Sequence, residues 1–558
     1  MIEKLWLRST LLSRSAAYLA AVLVAAPYIY HLARGSTAYL GLLEDDYFYY
    51  ATVANNLVSL GRFTYDGATL TNGFHPLWLG AVVLIRWLYG NLGPAFYTTL
   101  AVIFVLATIA IFELGRRCAR LWGASPPLAA AVAAVYSVGY ARLMATGMEC
   151  ILAVPLFMWW LLEISRPYPL TPRRVALLGF IASLAILARL DVAIAVAMAI
   201  AGYLWFVRPK LPVVGRQLAA FAAGGFLVPV YAVANFHYFK TPLPVSALAK
   251  RLVVVPGFNF NYLDIVAFGT YMGRTISLIL PLGAVALCLL ILRDPTAQPR
   301  ARFVGGLTLA FALVFYFINA LSGWIFFSWY AYPLPAATIA ALVFIWQCCG
   351  PLVERYHLRA GAIAVMLALV VYAPLKALRY YRQHGPQWSI SDNALLAASY
   401  DIGAHVRGRN GLFAMGAVAG VVQYVTGKPF LQLEGLITDR RMLEHVRRQD
   451  ELGAVLREYH ADYLVVSFVG IAPESVDGCY LVTQPNAEWA GTRTAKMRGR
   501  ICSEPVERFV TPAGTNPWSM FRTVETLIWD VQQAQWAPLR AAGSQKRDVL
   551  SRPSIEVR

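Results

Sequence analysis

The chain has 558 residues, 58% of them hydrophobic and only 14% charged, which excludes an ordinary soluble globular protein and points to many membrane spans. Forty-eight Lys and Arg against 30 Asp and Glu leave a formal charge of +18. In such a chain that excess reads first as basic cytoplasmic loops, and nucleic-acid binding is a poor reading of it.

Lys4, Arg8 and Arg14 precede the first apolar stretch, 16–34. The pattern imitates a signal peptide, but the many apolar segments behind it favour an uncleaved first span. Further stretches of the ~17–25 residues that cross a bilayer stand at 95–115, 126–143, 150–165, 174–189, 191–207, 216–236, 275–292, 303–321, 331–348 and 360–378. An apolar run at 76–90 is decided by charge. With it left out of the count, the N-terminus and the Arg-bearing links 116–120, 166–174, 208–216, 293–302 and 355–359 all fall on the cytoplasmic side. Counting it would flip those links outside. The expected fold is therefore a multi-span α-helical membrane protein of about eleven spans. Helices at 47–60 and 76–90 lie in the interface within a first external loop, 35–94, and residues 380–558 lie outside.

The same assignment gathers the unusual polar clusters on the external face. They are Glu44-Asp45-Asp46, Thr71 to Pro76, Thr146 to Glu149, Arg189-Leu190-Asp191, Lys240 to Arg251, and Ser328-Trp329-Tyr330. No repeat of 20–50 residues is visible, which counts against a secondary transporter.

Three divisions follow: a membrane domain over 1–379, an extracytoplasmic α/β domain over 380–540, and a loose tail over 541–558. In the second, 393–408 and 440–458 carry helical periodicity, while 411–416, 429–433 and 463–468 read as short buried strands. Gly416-Ala417-Val418-Ala419-Gly420 lacks the spacing of a dinucleotide fingerprint and reads as a turn. Cys479 and Cys502 are the two cysteines of this domain. An oxidising compartment favours a disulfide between them, contributing about 3 kcal/mol, with two unrelated buried thiols as the alternative.

A charge held near hydrocarbon must be solvated, paired or used, so the acids of the first loop read as a site. Asp45 and Asp46 are adjacent and point in different directions, so one can take a proton while the other orients, pairs or binds a cation. Capping of the helix at 47–60 needs only one acid. Asn72 and His75 share the same loop, and His75 can donate to phosphate or carboxylate. Glu149, Arg189 and Asp191 join the site through the shared face, although Glu149 could cap a span and Arg189 could simply pair with Asp191. Lys240, Lys250 and Arg251 are cations on the face where the sign rule expects few; a lipid-borne phosphate is their obvious partner. Trp324, Phe326, Phe327, Trp329, Tyr330 and Tyr332 read as an interface belt, with sugar stacking by Tyr330 a secondary role. Acids to activate a hydroxyl and cations to hold a phosphate suggest one chemistry, transfer of a glycosyl group from a lipid phosphate. The leaving group is already a phosphate, so one general base suffices.

An acidic pair opening the first external loop resembles the GT-C superfamily of polyprenyl-phosphate-sugar glycosyltransferases. Asp45-Asp46-Tyr47 with Gly61 and Asn72-Gly73-Phe74-His75-Pro76-Leu77-Trp78 is similar to the arabinofuranosyltransferase-like branch. Gly147-Met148-Glu149, Arg189-Leu190-Asp191 and Thr241-Pro242-Leu243-Pro244 with Lys250 extend the likeness over roughly 16–340. The resemblance implies an inverting transfer with Asp45 as base, Asp46 as its partner and Glu44 beside them. The donor would be a polyprenyl-phosphate sugar, best guessed as D-arabinofuranose, and the acceptor a hydroxyl of an envelope glycan or protein outside the cytoplasm. Leu190 and Val245 stand where the branch often has Pro and Asn, which leaves the donor sugar open. No cofactor is required, although the three acids could hold a divalent cation. The rivals are a lipid-linked substrate transporter or flippase, which would place ionisable residues at mid-membrane, and a non-catalytic envelope assembly protein, which would tolerate loss of Asp45.

Overall fold

Two acids and a glycine frame the first helix of the external loop. Asp45 and Asp46 sit in the first turn of α1 (Asp45–Leu60), where the helix dipole favours negative charge, and Gly61 ends it in the left-handed region at φ 68°. Pro76 opens α2 (Pro76–Tyr89) at a position where a missing N–H costs nothing, and Gly90 closes it. At 14 residues α2 is about 21 Å long, too short to cross a bilayer. It buries Trp78, Leu79, Val82 and Ile85 and exposes Leu84, Trp87 and Leu88.

The computed structural model describes residues 28–539 and scattered positions between 11 and 26, leaving out 168, 208–209, 259–274, 295, 297, 325–326, 356–393, 470–474, 476, 487–492 and 513–522. The expected span at 360–378 and the tail at 541–558 therefore lie outside the described residues. After α2 come α3 (Pro94–Leu121), α4 (Pro126–Gly139), α5 (Cys150–Ser165), α6 (Pro172–Ala188) and α7 (Val192–Val207). Then follow α8 (Leu211–Gly224), α9 (Leu227–Phe239), α10 (Thr275–Arg293), α11 (Pro299–Ala320) and α12 (Leu334–Arg355). Among the described residues, α3, α11 and the stretch Leu334–Pro351 of α12 are long and apolar enough to cross a membrane. The pair α8 and α9, bent by 58° at Gly225, passes the same test together. Of the eleven expected spans these are the candidates among the described residues, and α2, α5, Val192–Trp205 of α7 and Ile279–Arg293 of α10 are shorter apolar helices.

Helix α5 sets the polarity of the bundle. Its N-terminus carries Glu149; its C-terminus carries Glu163, which pairs with Arg166 at 3.0 Å and Arg174 at 3.8 Å. The two ends are about 24 Å apart for 16 residues, so the link 166–174 and Glu149 occupy opposite ends of α5.

Beyond α12, the chain forms α13 (Ala394–Val406), β1 (Phe413–Met415), α14 (Ala419–Thr426), β2 (Phe430–Gln432), α15 (Arg440–Arg448), α16 (Leu452–Glu458) and β3 (Tyr463–Val469). Strands β4 (Tyr480–Gln484), β5 (Met497–Ile501), β6 (Glu507–Pro512), β7 (Thr523–Asp530) and β8 (Trp536–Ala537) complete it. One sheet runs β2-β1-β3-β7-β6, with β1 parallel to β2 and β3 and with β7 antiparallel to β3 and β6; the other runs β4-β5-β8. The single helix expected over 440–458 is broken at Gln449, which takes φ 57° as the cap of α15. Cys479 and Cys502 flank the antiparallel pair Tyr480 and Ile501, and a disulfide joins them.

Three straps tie this domain to the membrane domain. At the first, the Val421 N–H donates to Asp45 Oδ1 at 2.8 Å and the Tyr65 hydroxyl donates to the Ala419 carbonyl at 2.6 Å. The second is a close approach: a Cβ on Gly73 would stand 1.9 Å from the Leu436 carbonyl oxygen. At the third, Val254 N–H donates to the Arg493 carbonyl at 2.9 Å, and Ala495 N–H to that of Leu252 at 2.8 Å. One apolar core, from Tyr47 and Tyr97 to Phe413 and Val465, runs through both domains.

Gly73→Ala is expected to destabilise the fold by about 1–3 kcal/mol, because the new methyl meets rigid backbone. Gly80→Ala, whose Cβ meets nothing within 4 Å, is the control. Thermal unfolding in detergent measures both, and equal midpoints would contradict the strap.

Candidate active site

One cavity of about 460 Å³ collects most of the polar residues that the sequence singles out: Asp46, His75, Glu149, Arg189, Asp191, Lys250, Arg251 and Tyr330 all line it. Each arrives from an element end. Asp46 comes from the first turn of α1, His75 caps α2, and Glu149 caps α5. Arg189 closes α6. Lys250 follows the short helical turn Val245–Ala249. Apolar Phe315, Ile318 and Leu321 from the end of α11 complete one wall, and Leu436 and Ile437 of the C-terminal domain another.

Arg189 organises the floor. Its Nη1 donates to Glu149 Oε1 at 2.5 Å, its Nε reaches both Asp191 oxygens at 3.1–3.2 Å, and the two buried partners are only 4% and 2% exposed. The guanidinium lies over Tyr330 and Tyr332, 4.9 and 4.7 Å from the ring centroids, and donates to the Trp329 carbonyl at 3.3 Å. Tyr50 donates its hydroxyl to Glu149 Oε2 at 3.3 Å. His75 Nδ1 accepts the Leu190 N–H at 3.4 Å, so the neutral ring carries its proton on Nε2, 3.7 Å from Glu149 Oε1. Burial, with Arg189 nearby, pushes His75 down to about 3 and keeps it neutral.

The acid pair divides. Asp45 does not line the cavity; it turns to the N-terminus of α14, where the Val421 N–H donates to it and a Cβ on Gly420 would stand 2.4 Å from the Asp45 carbonyl oxygen. Burial pushes Asp45 up to about 6, while the N–H donors of Val421 and Gly420 and the Tyr49 hydroxyl oppose the shift. Asp46 faces the cavity, and among the described residues its carboxylate makes no direct hydrogen bond or ion pair. Burial pushes it up to about 7, Lys250 holds it back, and Asp45, Glu149 and Glu44 add to the rise. Lys250 is pushed down by burial and by Arg189, with Asp46 opposing, and its ammonium stands 4.8 Å from the Tyr330 ring centroid.

Other expected residues lie elsewhere. Glu44 is the N-cap residue of α1, its N–H bonded to the Thr146 carbonyl at 3.1 Å. Asn72 is a buried brace, donating to Asn235 Oδ1 and the Leu243 carbonyl and accepting the Val245 N–H. Lys240 is an exposed cap at φ 57° that donates to the His237 carbonyl, apart from Lys250 and Arg251. The aromatic run is no interface belt at Trp324, Trp329, Tyr330 and Tyr332, which are buried. Sequence reasoning did not assign site roles to Tyr50, Leu436 or Ile437; Tyr50 follows the acids by one helical turn, the one signal that pointed to it. Among the described residues, no three His, Cys, Asp or Glu side chains are grouped to hold a metal ion.

No family model matches the chain, and no curated protein matches it in sequence. Solved structures do resemble it. ArnT from Cupriavidus metallidurans, bound to undecaprenyl phosphate, is 14% identical with a TM-score of 0.48 over 91% of this chain and 97% of that one. The archaeal oligosaccharyltransferase AglB from Archaeoglobus fulgidus, with an inhibitory peptide and a dolichol-phosphate, is 10% identical with a TM-score of 0.48 over 81% and 69%. Arabinofuranosyltransferase AftD from Mycobacteria is 15% identical with a TM-score of 0.43, over 93% of this chain and 41% of that one. Overlaps this loose carry no residue role from those proteins to this chain.

Arg189→Met should lower stability by about 3 kcal/mol, because it leaves the buried Glu149 carboxylate without its cation, and Glu149→Gln should cost less, because Asp191 still pairs with Arg189. The double variant should lose less than the sum. Additive losses in a double-mutant cycle would show that the pair is not coupled.

Proposed function

We propose that the protein is an inverting glycosyltransferase of the GT-C kind, moving a sugar from a polyprenyl-phosphate donor to a hydroxyl of an envelope glycan or protein. The best guess for the sugar remains D-arabinofuranose, and the site faces away from the cytoplasm of a bacterial inner membrane. One observation carries the reading: Asp46, a half-buried carboxylate with no direct hydrogen bond or ion pair among the described residues, shares a cavity with Lys250 and Arg251, beside the apolar end of α11.

In this reading Asp46 rather than Asp45 is the base. Asp46 takes the proton of the acceptor hydroxyl as its oxygen forms the bond to the anomeric carbon. The bond from that carbon to the phosphate oxygen breaks, and its electron pair stays on the phosphate. Lys250 and Arg251 offset the charge that develops there. Arg189 is held by Glu149 and Asp191, so it fixes the floor and contributes its field. His75, neutral and bonded to Leu190, is no base. Asp45 anchors α1 to α14 and thereby aims Asp46. The rival transporter reading expects ionisable groups along the middle of the spans, whereas these gather at one end of α5.

Purified protein with a panel of polyprenyl-phosphate sugars tests the proposal. Release of free lipid phosphate from one sugar, reduced roughly a thousandfold by Asp46→Asn, is the expected result. Asp45→Asn should lower turnover less, by weakening the α14 anchor. The reverse ranking would return the base to Asp45, and lipid movement without transfer would favour the transporter.

Lys250→Ala should raise the donor KM about tenfold, as loss of a charge-assisted phosphate contact does. An unchanged donor KM would remove Lys250 from the phosphate site. Because the base must be ionised, kcat/KM should fall as pH drops below about 7. A flat profile from pH 5 to 8 would exclude Asp46 as the base.

A further inference from the structure

The segment after β2 carries a carboxyl group that the reaction above does not use. Glu434 is 4% exposed; its Oε2 accepts the Gln432 amide at 3.0 Å, and its Oε1 has no hydrogen-bond partner among the described residues. Gln432 Oε1 in turn accepts the N–H groups of Glu434 and Leu436, each at 3.1 Å, so the segment folds about that one amide. The next residues press Leu436 and Ile437 into the cavity wall and lay their backbone on Gly73. Among the described residues, the titratable groups that face Glu434 are Asp45, Asp46 and Tyr49 of α1 and Lys496, which leads into β5. Lys496 donates to the Pro485 carbonyl at 3.1 Å.

Enclosed carboxylates with a shared neighbourhood do not all ionise together, and an ionised one with an unsatisfied oxygen is costly to bury. We propose that Glu434 is a positioning residue of the transfer site, which while protonated behind Asp45 and Asp46 admits an anionic phosphate, and once ionised disfavours it. The inference rests on the phosphate-donor reading above. Burial pushes Glu434 up to about 8, Asp46 and then Asp45 add to the rise, and Lys496 opposes it. The proton therefore leaves over a range in which the donor is already anionic. Glutamine at 434 keeps the shape and the neutral state and removes the titration.

Two measurements on the full chain test this. The first is binding of undecaprenyl phosphate in detergent micelles, read by the fluorescence of Trp324 and Trp329, which line the cavity. Wild-type affinity should weaken roughly five- to tenfold between pH 7 and pH 9, as one added buried charge requires. Glu434→Gln should bind as wild type does at pH 7 and lose most of that weakening. What remains belongs to Asp46 and Lys496, which titrate in both proteins, and to Lys250, whose charge burial disfavours in both. Equal weakening in both overturns the proposal.

The second measurement needs no ligand. A carboxyl held up in the fold binds its proton more tightly folded than unfolded, so it lowers stability as pH rises from the ordinary carboxylate range toward about 8. The stability of Glu434→Gln relative to wild type should therefore climb over that window and level off above it. Parallel unfolding curves would deny Glu434 its proton and overturn the proposal even where transfer succeeds. Absence of phosphate binding in both proteins would sink the phosphate role together with the proposed function, while the unfolding curves still report the proton.

Discussion

Buried charge that must be compensated is the constraint on which the rest of this structure depends. Arg189 and Glu149 are nearly inaccessible and 2.5 Å apart, and neither could remain charged there alone. Asp191 adds a second carboxylate to the same guanidinium, and the faces of Tyr330 and Tyr332 fill the remaining space around it. The residues come from the ends of three different helices and one loop. Satisfying them fixes where α5, α6 and α7 end relative to one another, and with them the floor of the cavity. The floor sets one guanidinium against two carboxylates, and Asp46, Lys250 and Arg251 line the same cavity beside it.

The C-terminal domain follows from the same logic. Burial of Tyr47 to Ala54 packs α1 into the core, but its first turn carries two acids whose directions that burial does not settle. The N-terminus of α14 solves this by presenting N–H donors to Asp45, a bond between residues 376 positions apart. The Gly73 contact seats the loop that carries His75, and the pairing of Leu252 and Val254 with Ala495 and Arg493 holds the loop that follows Lys250. Acidic wall, first loop and basic wall are thus each braced by the same domain.

How much of this the sequence disclosed depended on the range of the interaction. Glu149, Arg189 and Asp191 were legible because acids and an arginine at the edge of apolar runs have few physical excuses. The helices at 47–60 and 76–90 were legible from charge bias and length. The resemblance placed the base on Asp45, but consecutive helical residues point about 100° apart, and the Val421 N–H that bonds Asp45, which does not line the cavity, lies 376 positions away. Lys240 looked equivalent to Lys250, but a left-handed cap turns it to solvent. Strands β4 to β8 escaped notice, and β7 shows why: Glu525 sits inside its buried run, paired with Arg508 at 2.7 Å, and disguises the strand as polar. Glu434 drew no reading from the sequence, because nothing in its neighbours along the chain signals its burial.

The proposed reaction suits this distribution of charge. A donor phosphodiester carries one negative charge, and the lipid phosphate that leaves carries one more. The proton that Asp46 receives removes a negative charge from the acidic wall in the same step. The net effect is to move one unit of negative charge from Asp46, which Asp45 and Glu149 crowd, onto the phosphate that Lys250 and Arg251 would hold. Like-charge repulsion around Asp46 is relieved as attraction between the phosphate and the two cations grows. An acid raised to about 7 is suited to that exchange: it is ionised often enough to act, and it gains more than an ordinary carboxylate does from becoming neutral.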